Sequence, residues 1–118
     1  MGFEKFVMKS VRTDEPMVSI HKDGIIGVNR ACYLNYLSNY KLVTLFYDRE
    51  RRIIGIKPTN TKKIGETYLV RTSRDGTIIK ISAGAFLKYF NIDYTESKSF
   101  VARWNEEEGL VEVDLTQG

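Results

Sequence analysis

The chain holds a single cysteine, Cys32, a single histidine, His21, and two prolines, Pro16 and Pro58, in 118 residues. One cysteine excludes an internal disulfide, and no Cys/His spacing of the metal-binding kind is present. One histidine excludes a His-based metal cluster and leaves any general base without an imidazole partner. No apolar run approaches the roughly 20 residues that span a bilayer. The first residues, Met1-Gly2-Phe3-Glu4-Lys5-Phe6, lack the apolar stretch of a secretory signal. These absences predict one non-membrane domain over residues 1–118, cytoplasmic, with no cofactor, no metal site and no catalytic machinery. The composition, 42% apolar and 28% charged, is that of an ordinary globular domain.

What the chain does contain is a motif stated twice. Residues 18–57 and 68–115 each carry an Asp-Gly turn signal (Asp23-Gly24, Asp75-Gly76), a short apolar helix and a long charged hairpin. Residues 1–17 form an N-terminal arm and 58–67 a connector. Phe3, Phe6, Val7, Met8 and Val11 either dock the arm or leave it mobile. Asp-Gly tolerates positive φ at both positions, as a type I′ turn requires. Asn29 and Ser82 stand where a helix N-cap belongs, because each side chain can accept an orphan N–H. Ala31 and Leu34, with Leu37 and Tyr33, mark the first helix; Phe86, Leu87 and Phe90 mark the second. Pro58 is expected to stop the strand before it.

Overlaying the units pairs Cys32 with Ala85, Leu34 with Leu87, Tyr36 with Tyr89 and Leu37 with Phe90. It pairs Val43, Leu45, Tyr47, Ile54 and Ile56 with Phe100, Ala102, Trp104, Val111 and Val113. These last positions are apolar in both copies and therefore face inward. Phe46, Ile53 and Gly55 alternate with them and face outward. The expected fold is α+β, mainly antiparallel β, with two pseudo-symmetric ββαββ repeats in one barrel-like domain. Two sheets crossed by helices, as in Whirly-type single-strand binders, is the alternative layout.

Charge separates the copies. Residues 18–57 hold seven Lys/Arg and three acids, a balance of +4; residues 68–115 hold six bases and eight acids, a balance of −2. Any polyanion should meet the first copy and the connector. The candidate nucleic-acid contacts are Arg49, Arg51, Arg52, Lys57, Lys62 and Lys63, with Lys22 and Arg30 secondary. Arginines at a hairpin tip reach phosphates or a DNA groove. Tyr33, Tyr36, Tyr40 and Tyr47 are aromatic platforms or core residues. His21, on a hairpin strand without a partner motif, reads as structural, and Cys32 as a small buried helix residue. Glu106, Glu107 and Glu108 read as a solvated turn, since neighbouring turn side chains diverge.

The segment Val18-Ser19-Ile20-His21-Lys22-Asp23-Gly24-Ile25-Ile26-Gly27-Val28-Asn29, the helix over 30–38 and the hairpin over 42–56 resemble the swapped-hairpin AbrB-like DNA-binding domains. The resemblance, which extends over residues 18–115, implies two interlocked units, from two chains or from one duplicated chain as in MraZ-like regulators. It implies a barrel that binds duplex DNA. The pattern departs where such units carry a helix-entry proline, replaced here by Asn29 and Ser82. It departs again where they place arginines, since Ile25 and Thr77 follow the turns and the helices offer only Arg30 and Lys88. The function expected is a nucleic-acid-binding or transcription-regulatory module with DNA or RNA as partner. The alternative is a protein-interaction module without catalysis, a homodimer in which the acidic copy of one chain faces the basic copy of another. Phe3, Phe6 and Phe46 would be its anchors.

Overall fold

The computed structural model describes residues 15–74 and 78–116. Most of the N-terminal arm, including Phe3 and Phe6, and the Asp75-Gly76 turn lie outside the described residues. The strands are β1 (Met17–Ile20), β2 (Ile25–Val28), β3 (Leu42–Asp48), β4 (Ile53–Thr59), β5 (Thr67–Leu69), β6 (Arg71–Thr72), β7 (Ile79–Ser82), β8 (Lys98–Asn105) and β9 (Leu110–Asp114). Helix α1 begins as Arg30–Cys32 and widens into a π-helical turn over Tyr33–Leu37; α2 is Gly84–Tyr89.

All strands pair antiparallel, in the order β5-β3-β4-β9-β8-β1-β2-β7-β6. The two ends of that order are consecutive in the chain. β5 lies on β3 and β6 on β7, and between them the Val70 amide donates to the Lys41 carbonyl at 2.8 Å. Residues 67–72 thus cross from one edge to the other and bring the sheet nearly to a closed barrel. Closure satisfies edge N–H and C=O groups that would otherwise invite pairing with other chains.

The interior follows the alternation expected of half-buried strands. Val18, Ile20, Ile26, Val28, Val43, Leu45, Ile54, Ile56, Phe100, Ala102, Val111 and Val113 are buried, and Tyr47 and Trp104 pack half-buried against them. Ile53 is half-buried and Phe46 exposed, as their outward positions require. Gly55 also points outward but is buried, because the Leu110 side chain lies over it.

Four local expectations are corrected. Pro58 does not stop β4, which runs on to Thr59 with Pro58 opposite Val43. Beyond Ile56 the strand has no β9 residue beside it, so a missing N–H is tolerated there. The first hairpin is not type I′. Asp23 does not take positive φ; Gly24 alone does, at 85°, while His21 N donates to the Ile25 carbonyl and Gly24 N to the His21 carbonyl. That is the wider hairpin in which only the last loop residue is left-handed. Ser82 is not a cap but the last residue of β7, paired with Ile25; Ala83 opens α2 without a side-chain cap. The α2 start is held instead by the Gly24 turn, whose carbonyl accepts from Ala83 N at 3.0 Å.

The fourth correction concerns the helices. Cys32 is fully buried while Ala85 is exposed, and Leu87 is fully buried while Leu34 is 53% exposed. Tyr36 is half-buried and Tyr89 exposed. For Cys32 and Ala85 the cause is the helix start: α2 is capped at Ala83, one residue later than the overlay with Asn29 assumes, so Cys32 corresponds to the buried Phe86. For Leu34 the cause is the π turn. The wider i→i+5 winding brings Cys32 and Leu37 toward one face and swings Leu34 outward. Asn29 is the cap expected of it. Its Oδ1 accepts from Cys32 N at 2.9 Å and Met17 N at 3.0 Å, and its Nδ2 donates to the Glu15 carbonyl at 2.8 Å.

Candidate nucleic-acid interface and a charged cleft

The eight basic candidates do not form one patch. The β3–β4 tip is organised by Asp48, whose Oδ1 accepts from the amides of Glu50 and Arg51, both at 3.1 Å. Its Oδ2 takes the Arg51 Nε at 2.9 Å. The hydrogen bond from Arg51 holds the Asp48 carboxyl below the usual carboxylate range. Arg51 therefore already has an anion, although its side chain stays largely in solvent.

Arg49 and Arg52 turn elsewhere. They line a cleft of about 450 Å³ at one end of the barrel, with Tyr47 and Phe90 among its walls. The Arg49 guanidinium carbon lies 5.0 Å from the centre of the Phe90 ring, within cation–π range. Phe90 in turn packs on Tyr47 at 5.2 Å between ring centres. The segment after α2 and the start of β8 add Asn91, Asp93, Glu96 and Lys98 to its lining. Asp93 Oδ1 accepts from Thr95 N at 2.9 Å and Thr95 Oγ1 at 2.8 Å. Those bonds, with a smaller contribution from the Lys98 charge, lower the Asp93 pKa.

Lys57 and Lys63 meet on the outer face of the sheet instead. They line a groove of about 260 Å³ with Phe46, Thr44 and Thr67. Phe46, on β3 opposite Gly55, is 46% exposed. Lys62 is exposed beside this groove without lining it. Arg52 is the turn residue just before β4 and Lys57 lies five residues on, a separation of up to roughly 17 Å at strand rise. Lys22 edges a separate depression with Tyr94 and Thr95, and Arg30 stands exposed at the start of α1. A fourth depression, of about 400 Å³, is bordered by Tyr36, Tyr40 and Trp104. Tyr36 and Trp104 stack there, 5.2 Å apart and 8° from parallel.

Sequence reasoning missed Phe90, Asp93, Glu96 and Lys98. They belong to the acidic second copy, and counting charge copy by copy hid a cleft built from both. Cys32 is buried, and burial pushes its thiol up to about 12, which keeps it protonated and unreactive. His21 is placed structurally: a Cβ on Gly27 would come within 2.8 Å of the His21 Nε2, so the ring lies against that glycine. Among the described residues no group of three or more His, Cys, Asp or Glu could hold a metal ion. Among them, too, no helix is long and apolar enough to cross a membrane. No protein-family model, no curated protein and no solved structure matches the chain.

Proposed function

We propose that this chain is a cytoplasmic nucleic-acid-binding module that contacts its ligand through the outer face of the β3–β4 hairpin. The observation that carries this reading is Phe46, an exposed aromatic on a sheet face, sharing one groove with Lys57 and Lys63. An aromatic face takes a base by stacking without regard to sequence, and the flanking ammonium groups take phosphates. The arrangement favours a single strand, because a stacked base must first be free of its partner.

The proposal includes the swapped-hairpin, two-unit architecture of AbrB-like and MraZ-like regulators. Support comes from the pairing scheme. β1 of the first unit lies on β8 of the second, and β5 of the second lies on β3 of the first. β2 and β7 pair with each other, as do β4 and β9. Exchanging the units leaves this ring of neighbours unchanged. The assembly reading has less behind it. Of its named anchors only Phe46 is among the described residues, and the other exposed apolar residues, Leu34, Ile64, Leu69, Ile78, Tyr89 and Val101, belong to six separate segments.

The test is a salt-titrated binding assay against single-stranded DNA, duplex DNA and RNA. Two phosphates neutralised by Lys57 and Lys63 give a log–log salt slope of about −1.4 for a single strand. Phe46→Ala should weaken single-strand binding by about 1–3 kcal/mol. Binding that is absent, or that ignores both salt and Phe46→Ala, refutes the reading.

A further inference from the structure

We propose that the cleft between the β3–β4 tip and the segment after α2 is a binding site for a small organic oxyanion. Its ligand is a carboxylate or phosphomonoester carrying an aromatic or apolar body. This site is distinct from the outer-face groove and does not depend on it.

Four observations carry the inference. First, the cleft has the volume of a small-molecule site, about 450 Å³, and mixes aromatic walls with a few charged groups. Second, three cations line it, Arg49, Arg52 and Lys98, and among the described residues none of them has a carboxylate within 4.0 Å. Asp93 and Glu96 face the same space, and Asp93 Oδ1 is engaged by Thr95, so the cleft lining holds three cations against two carboxylates. Third, Arg49 is laid across Phe90, which holds one guanidinium in place before any ligand arrives and reduces what binding must order.

The fourth is a comparison between two loops. The β3–β4 and β8–β9 hairpins have the same plan: Asp48 and Asn105 each accept turn amides through their side chains. Each loop ends four residues later on a left-handed residue. In β8–β9 that residue is Gly109, at φ 66°; in β3–β4 it is Arg52, at φ 57°. Glycine takes this conformation at no steric cost and arginine does not. The Arg52 carbonyl accepts from Leu115 N at 2.9 Å, a bond that glycine would make equally well. Local folding therefore gives no reason for the side chain, whereas the cleft it lines does. Arginine's planar fork matches carboxylate and phosphate oxygens in pairs.

The experiment uses the full chain with phenyl phosphate, benzoate, inorganic phosphate and benzylamine as probes. Melting temperature and calorimetric affinity are followed. Phenyl phosphate or benzoate should raise the melting temperature, and whichever binds more tightly assigns the oxyanion. Benzylamine should do nothing. Arg52→Gly should melt no lower than the wild type without probe, yet lose affinity by about tenfold or more. Lys98→Gln should weaken binding in the same direction and guards against a folding defect in the first variant. Three results overturn the proposal: neither organic anion binds, Arg52→Gly keeps wild-type affinity, or inorganic phosphate binds as well as phenyl phosphate. Displacement of the bound probe by an oligonucleotide overturns the claim of a separate site.

Discussion

Replacing Gly109 by alanine should destabilise the fold, and replacing Arg52 by glycine should not. Both positions are left-handed, at φ 66° and 57°. Nothing lies within 4 Å of a Cβ built on Gly109, so Gly109→Ala carries no steric clash with the rest of the fold. What remains is the backbone. A non-glycine residue in this region costs about 1–2 kcal/mol. Alanine recovers about 0.4–1 kcal/mol of that by restricting the unfolded chain. The net loss is about 1 kcal/mol, or roughly 3–6 °C in melting temperature for a domain of this size. For Arg52→Gly the same two quantities enter with opposite signs, which gives a change between zero and about +1 kcal/mol. Urea melts of the two variants at constant m measure both. The reasoning fails if Gly109→Ala is neutral. It fails equally if Arg52→Gly loses more than about 1 kcal/mol, since that would mean the arginine side chain is held by contacts that stabilise the fold itself.

Asn29→Ala removes three hydrogen bonds at once, to Cys32 N, Met17 N and the Glu15 carbonyl, and should cost about 2–3 kcal/mol in a denaturant melt. Asn29→Asp should recover much of that, because a carboxylate still accepts both amides. Cys32 should resist a thiol reagent in the folded protein and react only at the rate of unfolding. Its folded pKa, about 12, lies above the ordinary value of 9.0. The stability this contributes is complete below pH 9 and declines from there toward pH 12, as the unfolded chain alone gains a thiolate.

Much of the barrel was legible from alternation. Val43, Leu45, Ile54 and Ile56, and their counterparts Phe100, Ala102, Val111 and Val113, show the period of two that a half-buried strand imposes. The helices were less legible. A spacing of 3.6 selects Leu34, but a π turn joins residues five apart, and nothing in Tyr33-Leu34-Asn35-Tyr36-Leu37 announces it. Ser82 has the chemistry of a cap, but its pairing with Ile25 keeps it in the sheet and moves the helix start by one residue. The two basic groupings were named as residues but not as places. Arg49 and Arg52 sit in the turn before β4 while Lys57 is on the strand and Lys63 in the loop after it, and only the folded hairpin shows that the two pairs line different surfaces. The cleft itself joins residues 49–52 to 90–98, a contact made only when the second unit folds against the first hairpin.

The crossing at residues 67–72 gives the join between the two halves of the chain a double role. It is the covalent link that keeps them at high mutual concentration, and it is also the strip that covers both remaining edges of the sheet. In a barrel closed by two separate terminal strands, loss of one exposes one edge. Here release of six residues uncovers β3 and β7 together, and each then presents unpaired backbone groups to solvent. The part of the molecule that holds the halves together is the same part that covers the backbone edges through which another chain could pair.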